Sequence, residues 1–173
     1  MIQLYTGDGK GKTTAALGLA LRAAGHCLKT IIIQFLKSEN CGYGEHNSIR
    51  LLYPYVEIFS FGRECFVERN NPTNTDKEFA IEGYNFFKES LIENKYRIYI
   101  LDEICVALDY GLIPLDDFVS LVDKLDKNDI EIVLTGRYAP KKLYEIADLV
   151  TEFKEIKHYF NESGIMGRKG IDW

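Results

Sequence analysis

Short apolar runs alternate with longer stretches of helical periodicity along the chain. Residues 2–5 form the first apolar run and read as a buried strand. Residues 14–24 are rich in Ala and Leu and end at Gly25, which suits a helix whose small side chains pack closely on a sheet. Residues 30–35, Thr-Ile-Ile-Ile-Gln-Phe, are continuously apolar and β-branched up to Gln34, as in a strand covered on both faces. Strand, helix and strand in so short a span predict a right-handed parallel unit. Residues 45–52 suit a short helix and residues 56–61 a third strand. Residues 62–72 read as a long irregular loop, in which Phe66 is either core or the wall of a pocket. Thr75 and Glu78 have the spacing of a capping box, and the helix after them carries Ala80, Tyr84, Phe87 and Leu91 as a core-facing stripe. Pro114 opens a helix with Leu115, Phe118, Val119, Val122 and Leu125 on one face. Residues 97–103, 130–134 and 148–153 complete the strands, with a short helix beginning near residues 139–143. This alternation predicts a single three-layer α/β domain over residues 1–173 with a mostly parallel central sheet.

The chain has 173 residues, 46% of them apolar and 27% charged, which is an ordinary globular balance. Its net charge of −5 argues against a general nucleic-acid binder, which needs a basic face. The cysteines, Cys27, Cys41, Cys65 and Cys105, form no C-x-x-C pair, so reduced thiols in the cytoplasm are expected rather than a zinc site. Neither a leader peptide nor a membrane span is read from the sequence.

The chemistry concentrates at the carboxyl ends of the predicted strands. After the first strand comes Thr6-Gly7-Asp8-Gly9-Lys10-Gly11-Lys12-Thr13-Thr14, a glycine-rich turn leading into a helix. Such a turn aims backbone N–H groups at an anion, and the helix adds the positive end of its dipole. Lys12 supplies a charge for phosphate oxygens, and the Thr13 hydroxyl can ligate a magnesium ion. The common phosphate-loop pattern G-x-x-x-x-G-K-[ST] would place its first glycine where Thr6 stands. The strand over residues 97–103 ends in Asp102 and Glu103, a carboxylate pair suited to a magnesium ion facing that loop. The strand over residues 130–134 leads to Thr135-Gly136-Arg137, where the arginine can clamp phosphate or ribose. These features specify a P-loop NTPase-like, RecA-like domain acting on a nucleoside triphosphate with Mg2+ or Mn2+. The tail, residues 154–173, mixes basic and aromatic side chains. It is expected to dock, over the nucleotide among other places, with His158 as a hydrogen-bonded structural residue.

Residues 6–18, TGDGKGKTTAALG, closely resemble the phosphate loop of the ATP:corrinoid adenosyltransferases of the CobA/CobO/BtuR type, which share the shortened loop. Leu101-Asp102-Glu103, Leu134-Thr135-Gly136-Arg137 with Ala139, Ala147-Asp148-Leu149-Val150-Thr151-Glu152, and Lys157-His158 followed by Gly170-Ile171-Asp172 match the family in order. The resemblance implies transfer of the 5′-deoxyadenosyl group of ATP to the Co(I) centre of a corrinoid, with triphosphate leaving. That fits a chain without a Ser/His/Asp or Cys/His nucleophile, because cobalt is the nucleophile. It implies that Gly7, Asp8, Gly9, Lys10, Gly11, Lys12, Thr13 and Thr14 hold the triphosphate, with ATP reversed relative to most P-loop proteins. Lys12, Thr13 and Glu103 become the catalytic residues, and Thr13, Asp102 and Glu103 the metal side.

By the same resemblance, Phe66 is an apolar wall at the lower face of the corrinoid, where it displaces the lower cobalt ligand and eases reduction from Co(II). Glu68 stands where the family often has tryptophan. Longer members carry an N-terminal extension over the site, so a different lid is expected here. A reduced flavoprotein donor and a homodimer are further family expectations. Two rival readings share the loop. A P-loop kinase would need a catalytic base and a lid arginine, for which Arg63 and Arg69 are available. A nucleotide-dependent switch would need a partner face.

Overall fold

The computed structural model describes residues 1–64, 67–69, 71–126 and 129–173. Among these residues six strands form, β1 (Ile2–Thr6), β2 (Thr30–Phe35), β3 (Val56–Phe61), β4 (Ile98–Asp102), β5 (Glu131–Thr135) and β6 (Leu149–Glu152). They form one sheet in the order β3-β2-β4-β5-β1-β6, and every pairing is parallel. Helices α1 (Lys12–Ala24), α2 (Gly44–Arg50), α3 (Asn74–Glu93), α4 (Ile104–Asp109), α5 (Leu115–Asp123), α6 (Lys141–Ile146) and α7 (Tyr159–Ser163) connect and flank it. The sheet expected to be mostly parallel is parallel throughout, in the three-layer arrangement of P-loop proteins. A single strand, β5, separates β1 from β4.

The two faces of the sheet carry different layers. Ile31, Ile33 and Phe35 of β2, Tyr99 and Leu101 of β4, and Ile132 and Leu134 of β5 pack with Ala80, Tyr84 and Phe87 of α3 and Phe118 and Val122 of α5. The alternate residues Ile32, Ile98, Ile100 and Val133 face Ala16, Ala20 and Ala23 of α1 and Ile49 of α2. The alanine stripe lets α1 lie close against the strands. Because successive side chains of a strand point to opposite faces, Gln34, Asp102 and Thr135 fall on the α1 face, at the carboxyl ends of adjacent strands. That register positions the site.

The structure relocates one cap. The start of α3 is Thr73, not Thr75, and the box is closed by Asp76. Asp76 Oδ2 accepts from the Thr73 backbone N–H at 2.8 Å, and the Thr73 hydroxyl accepts from the Asp76 N–H at 3.2 Å. Arg63 reaches in from the β3–α3 connection, Nε to Oδ1 at 2.6 Å and a terminal nitrogen to Oδ2 at 2.8 Å. This bidentate pair fixes the cap two residues early and takes Arg63 out of any lid. The helix after β4 and the turn at α7 were not foreseen. Gly25 ends α1 as expected but with right-handed φ of −62°, and Cys27 takes the left-handed position at 58°.

Burial alone would raise the carboxyl pKa of Asp76. The bonds from Arg63 and Thr73 more than offset it, and the group lies below the usual range. The unfolded chain therefore holds that proton more tightly, so the stabilisation is present above the ordinary carboxylate range and lost as pH falls through the depressed value. Asp76→Ala is expected to cost about 2 kcal/mol at neutral pH. The difference from the parent should shrink in acid, as read from urea melts over a pH series.

Candidate functional site

The phosphate loop is shaped by two ends of the chain. Gly9 donates its N–H to the Phe153 carbonyl at 2.7 Å, and Phe153 donates its own to the Thr6 carbonyl at 2.7 Å. A Cβ at Gly7 would lie 2.5 Å from the Phe153 oxygen, and one at Gly9 would lie 2.8 Å from it. Gly7, with φ of 99°, also needs the left-handed region, whereas Gly9 is required for close approach alone. Gly11, at φ 119°, opens α1, whose first N–H groups face the concave side of the loop.

Lys12 is buried and folds into that concavity, where Nζ donates to the Gly7 carbonyl at 2.7 Å and the Gly9 carbonyl at 2.8 Å. Burial pulls its pKa down, with the Glu103 carboxylate pulling the other way. Asp8 and Lys10 of the loop and Thr14 in the first turn of α1 are exposed. Arg137 reaches the loop, donating to the Asp8 carbonyl at 3.1 Å.

Asp102, fully buried at the end of β4, is the point where the elements meet. Its Oδ1 accepts from the Thr13 hydroxyl at 2.8 Å and from the Thr135 hydroxyl at 2.7 Å. Its Oδ2 accepts from Lys37 Nζ at 2.8 Å and Gln34 Nε2 at 3.1 Å. Burial raises the carboxyl pKa, but Lys37 and the two hydroxyls more than offset it and keep Asp102 ionised. Lys37 is held charged by the same pair, its pKa raised by Asp102 against the opposing effect of burial.

Sequence reasoning missed Lys37, Gln34 and Thr135. The first was legible only as part of a loop at a strand's carboxyl end, Gln34 as a polar residue in an apolar strand, and Thr135 as part of a segment read for Arg137. Gln34 extends the network: it donates to Glu45 at 3.3 Å, and its oxygen accepts from the Ser60 hydroxyl at 3.0 Å. His46 Nε2 lies 2.9 Å from that oxygen, which calls for a proton on Nε2.

Glu103 adopts φ of 61° and gives its backbone N–H to the Thr135 hydroxyl at 3.0 Å. Burial and the neighbouring Asp102 raise its carboxyl pKa, while Lys37, Lys12 and Arg137 oppose them. A cation between such carboxylates relieves their repulsion, and every donor present is a hard oxygen. Because Thr13 gives its proton to Asp102, its oxygen lone pairs are available to an ion, whereas the Asp102 oxygens already hold four donors. Among the described residues no three His, Cys, Asp or Glu side chains gather closely enough to hold a metal by themselves. The phosphate oxygens of a substrate would have to complete the coordination.

Cys105 is buried beside Gly136, with its thiol pKa pushed up by burial and then by Glu103, so it is no nucleophile. Arg69 pairs with Asp109 at 2.9 Å and lies over the Tyr138 ring. Neither lid arginine of the kinase reading is therefore free. Phe66 lies outside the described residues. His158 caps α7, its Nδ1 accepting from the Phe160 N–H at 3.2 Å, as a structural histidine does.

The sequence model of the family described as ATP:corrinoid adenosyltransferase BtuR/CobO/CobP matches residues 1–173. This chain belongs to that family. It is 32% identical over 173 residues to the corrinoid adenosyltransferase of Escherichia coli (strain K12), covering all of this chain and 85% of that protein. It is 33% identical over 173 residues to the corrinoid adenosyltransferase of a Sinorhizobium species, covering all of this chain and 80% of that protein. An uncharacterized protein of Nostoc sp. (strain PCC 7120) is 34% identical over 168 residues, covering 91% of this chain, and the chain spans only 44% of its length. No helix among the described residues is long and apolar enough to cross a membrane.

Replacing Lys37 by Met would leave the buried Asp102 carboxylate without its cation. The expected cost is about 3 kcal/mol, read as a lower urea midpoint. Lys37→Arg should recover much of it.

Proposed function

We propose that this protein transfers the 5′-deoxyadenosyl group of ATP to the Co(I) centre of a corrinoid and releases triphosphate. The observation that carries this reading is the family match over residues 1–173. The arrangement of Lys12, Thr13, Asp102 and Glu103 around one loop supports it. The cobalt lone pair forms the bond to C5′ as the bond from C5′ to the triphosphate oxygen breaks, and triphosphate departs with that electron pair. The protein therefore needs no nucleophile of its own. Its work is to hold the reacting carbon in line and to stabilise charge on the leaving group.

The N–H groups of the loop, the Lys12 ammonium and Arg137 suit that charge, with ATP lying so that C5′ faces outward to the corrinoid. Thr13 and Glu103 would hold a divalent ion, with Asp102 orienting the Thr13 hydroxyl. Such an ion, Mg2+ or Mn2+, would neutralise triphosphate oxygens. Phe66 remains the candidate wall for the corrinoid. A reduced flavoprotein is the proposed electron source and a homodimer the proposed assembly. The cytoplasm is the proposed compartment, in keeping with the unpaired Cys27, Cys41 and Cys105.

The test is anaerobic. Protein, ATP, magnesium and chemically reduced cobalamin are expected to yield a light-sensitive alkylcobalt spectrum and one triphosphate per turnover. ADP with no spectral change, for cobinamide as well, would overturn the reading. Lys12→Ala is expected to lower kcat about 100- to 1,000-fold through lost stabilisation of the leaving group.

A further inference from the structure

Lys10 and Lys12 stand two residues apart and point in opposite senses. Lys12 fills the loop, whereas Lys10 Nζ lies 2.9 Å from Asp172 Oδ1 and donates to the Ile171 carbonyl at 3.2 Å. Asp172 is also the pin of the C-terminal segment. It accepts from the Tyr159 hydroxyl, from the Arg168 backbone N–H at 2.9 Å and from Arg168 Nε at 3.3 Å. The Arg168 guanidinium covers the Tyr159 ring at 4.7 Å. One residue on, the Trp173 carbonyl comes within 4.0 Å of where a Cβ at Gly44 would sit. Gly44 opens α2, directly after the loop that carries Lys37. The segment thus runs from the β1–α1 loop to the β2–α2 loop, across the edge of the sheet where Asp102 lies. None of its residues from 154 to 173 is buried. With no apolar anchor, its order rests on polar contacts.

We propose that Lys10 and Asp172 are positioning residues whose pair clasps the C-terminal segment across the mouth of the nucleotide cleft. This rests on the reading of the loop as a triphosphate site and adds a wall to it. ATP binds the clasped arrangement, so any loss of clasped population weakens apparent affinity in proportion. Neither residue touches the phosphates in this assignment. Lys10 acts through the segment it holds.

Trp173 is the chain's single tryptophan, so its emission reports the segment without a label. The experiment uses the full chain and Mg-ATP without corrinoid, with affinity read by calorimetry. Lys10→Met and Asp172→Asn are expected to change Trp173 emission, to speed tryptic cleavage at Arg168 and Lys169, and to weaken ATP binding about three- to tenfold. Lys10→Arg keeps the pair and should show parental Trp173 emission and parental cleavage at Arg168 and Lys169. A Lys10→Met protein with parental ATP affinity overturns the clasp. So does one with weakened affinity but parental Trp173 emission and cleavage, which would make Lys10 a direct phosphate ligand. A parent protein that binds ATP but makes no alkylcobalt product would overturn the transfer reading and leave the clasp standing.

Discussion

The Asp102 carboxylate is the constraint on which this architecture turns. A carboxylate removed from water costs several kcal/mol unless its oxygens are fully bonded. Here four donors reach it from α1, β2, the loop after β2 and the end of β5. None of these elements is adjacent to β4 in sequence, and each must arrive in register for the charge to be tolerated. A one-residue slip of β2 would put Gln34 on the opposite face and leave Oδ2 short of a donor. The arrangement that makes the carboxylate tolerable also aims the Thr13 oxygen and fixes the floor below the phosphate loop. Stability and chemistry are set by the same bonds.

The charge pattern follows from this. The chain is acidic overall, yet Lys12, Lys37 and Arg137 gather at one edge of the sheet around Asp102 and Glu103. Cations gathered at one point can face a polyanionic leaving group without a basic surface that would attract nucleic acid. Cys105, beneath the site, stays protonated and inert. The site has charge and geometry to offer, which suits a reaction whose nucleophile comes with the substrate.

Much of this was legible in the sequence because it is periodic or local. Strands β1 to β6 came from apolar runs, the α1 and α3 faces from helical spacing, and the loop from its glycines next to Lys12 and Thr13. The parts that escaped depend on long-range placement. Thr75 and Glu78 have the right spacing for a cap, but Arg63, far upstream, rewards Asp76 instead and moves the start to Thr73. Lys37 and Gln34 carry no motif, Thr135 lies in one that was read for Arg137, and only the parallel register gathers the three around Asp102. Gly9 was legible only as one glycine of the turn, and the Phe153 main chain is what excludes a side chain there.

That contact with Phe153 bears on how the molecule is made. β1, made before the other five strands described, finds its two sheet neighbours only in residues 131–135 and 149–152. The loop after it closes against residue 153. Until those residues have been made, the phosphate-binding sequence is an unclosed segment without its neighbouring strands. Such late, distant pairing is slow and leaves apolar strands uncovered in the meantime. The loop can therefore take its shape only after residue 153 has been made, and a chain truncated before β6 would keep every residue of the glycine-rich motif and still lack the floor that shapes it.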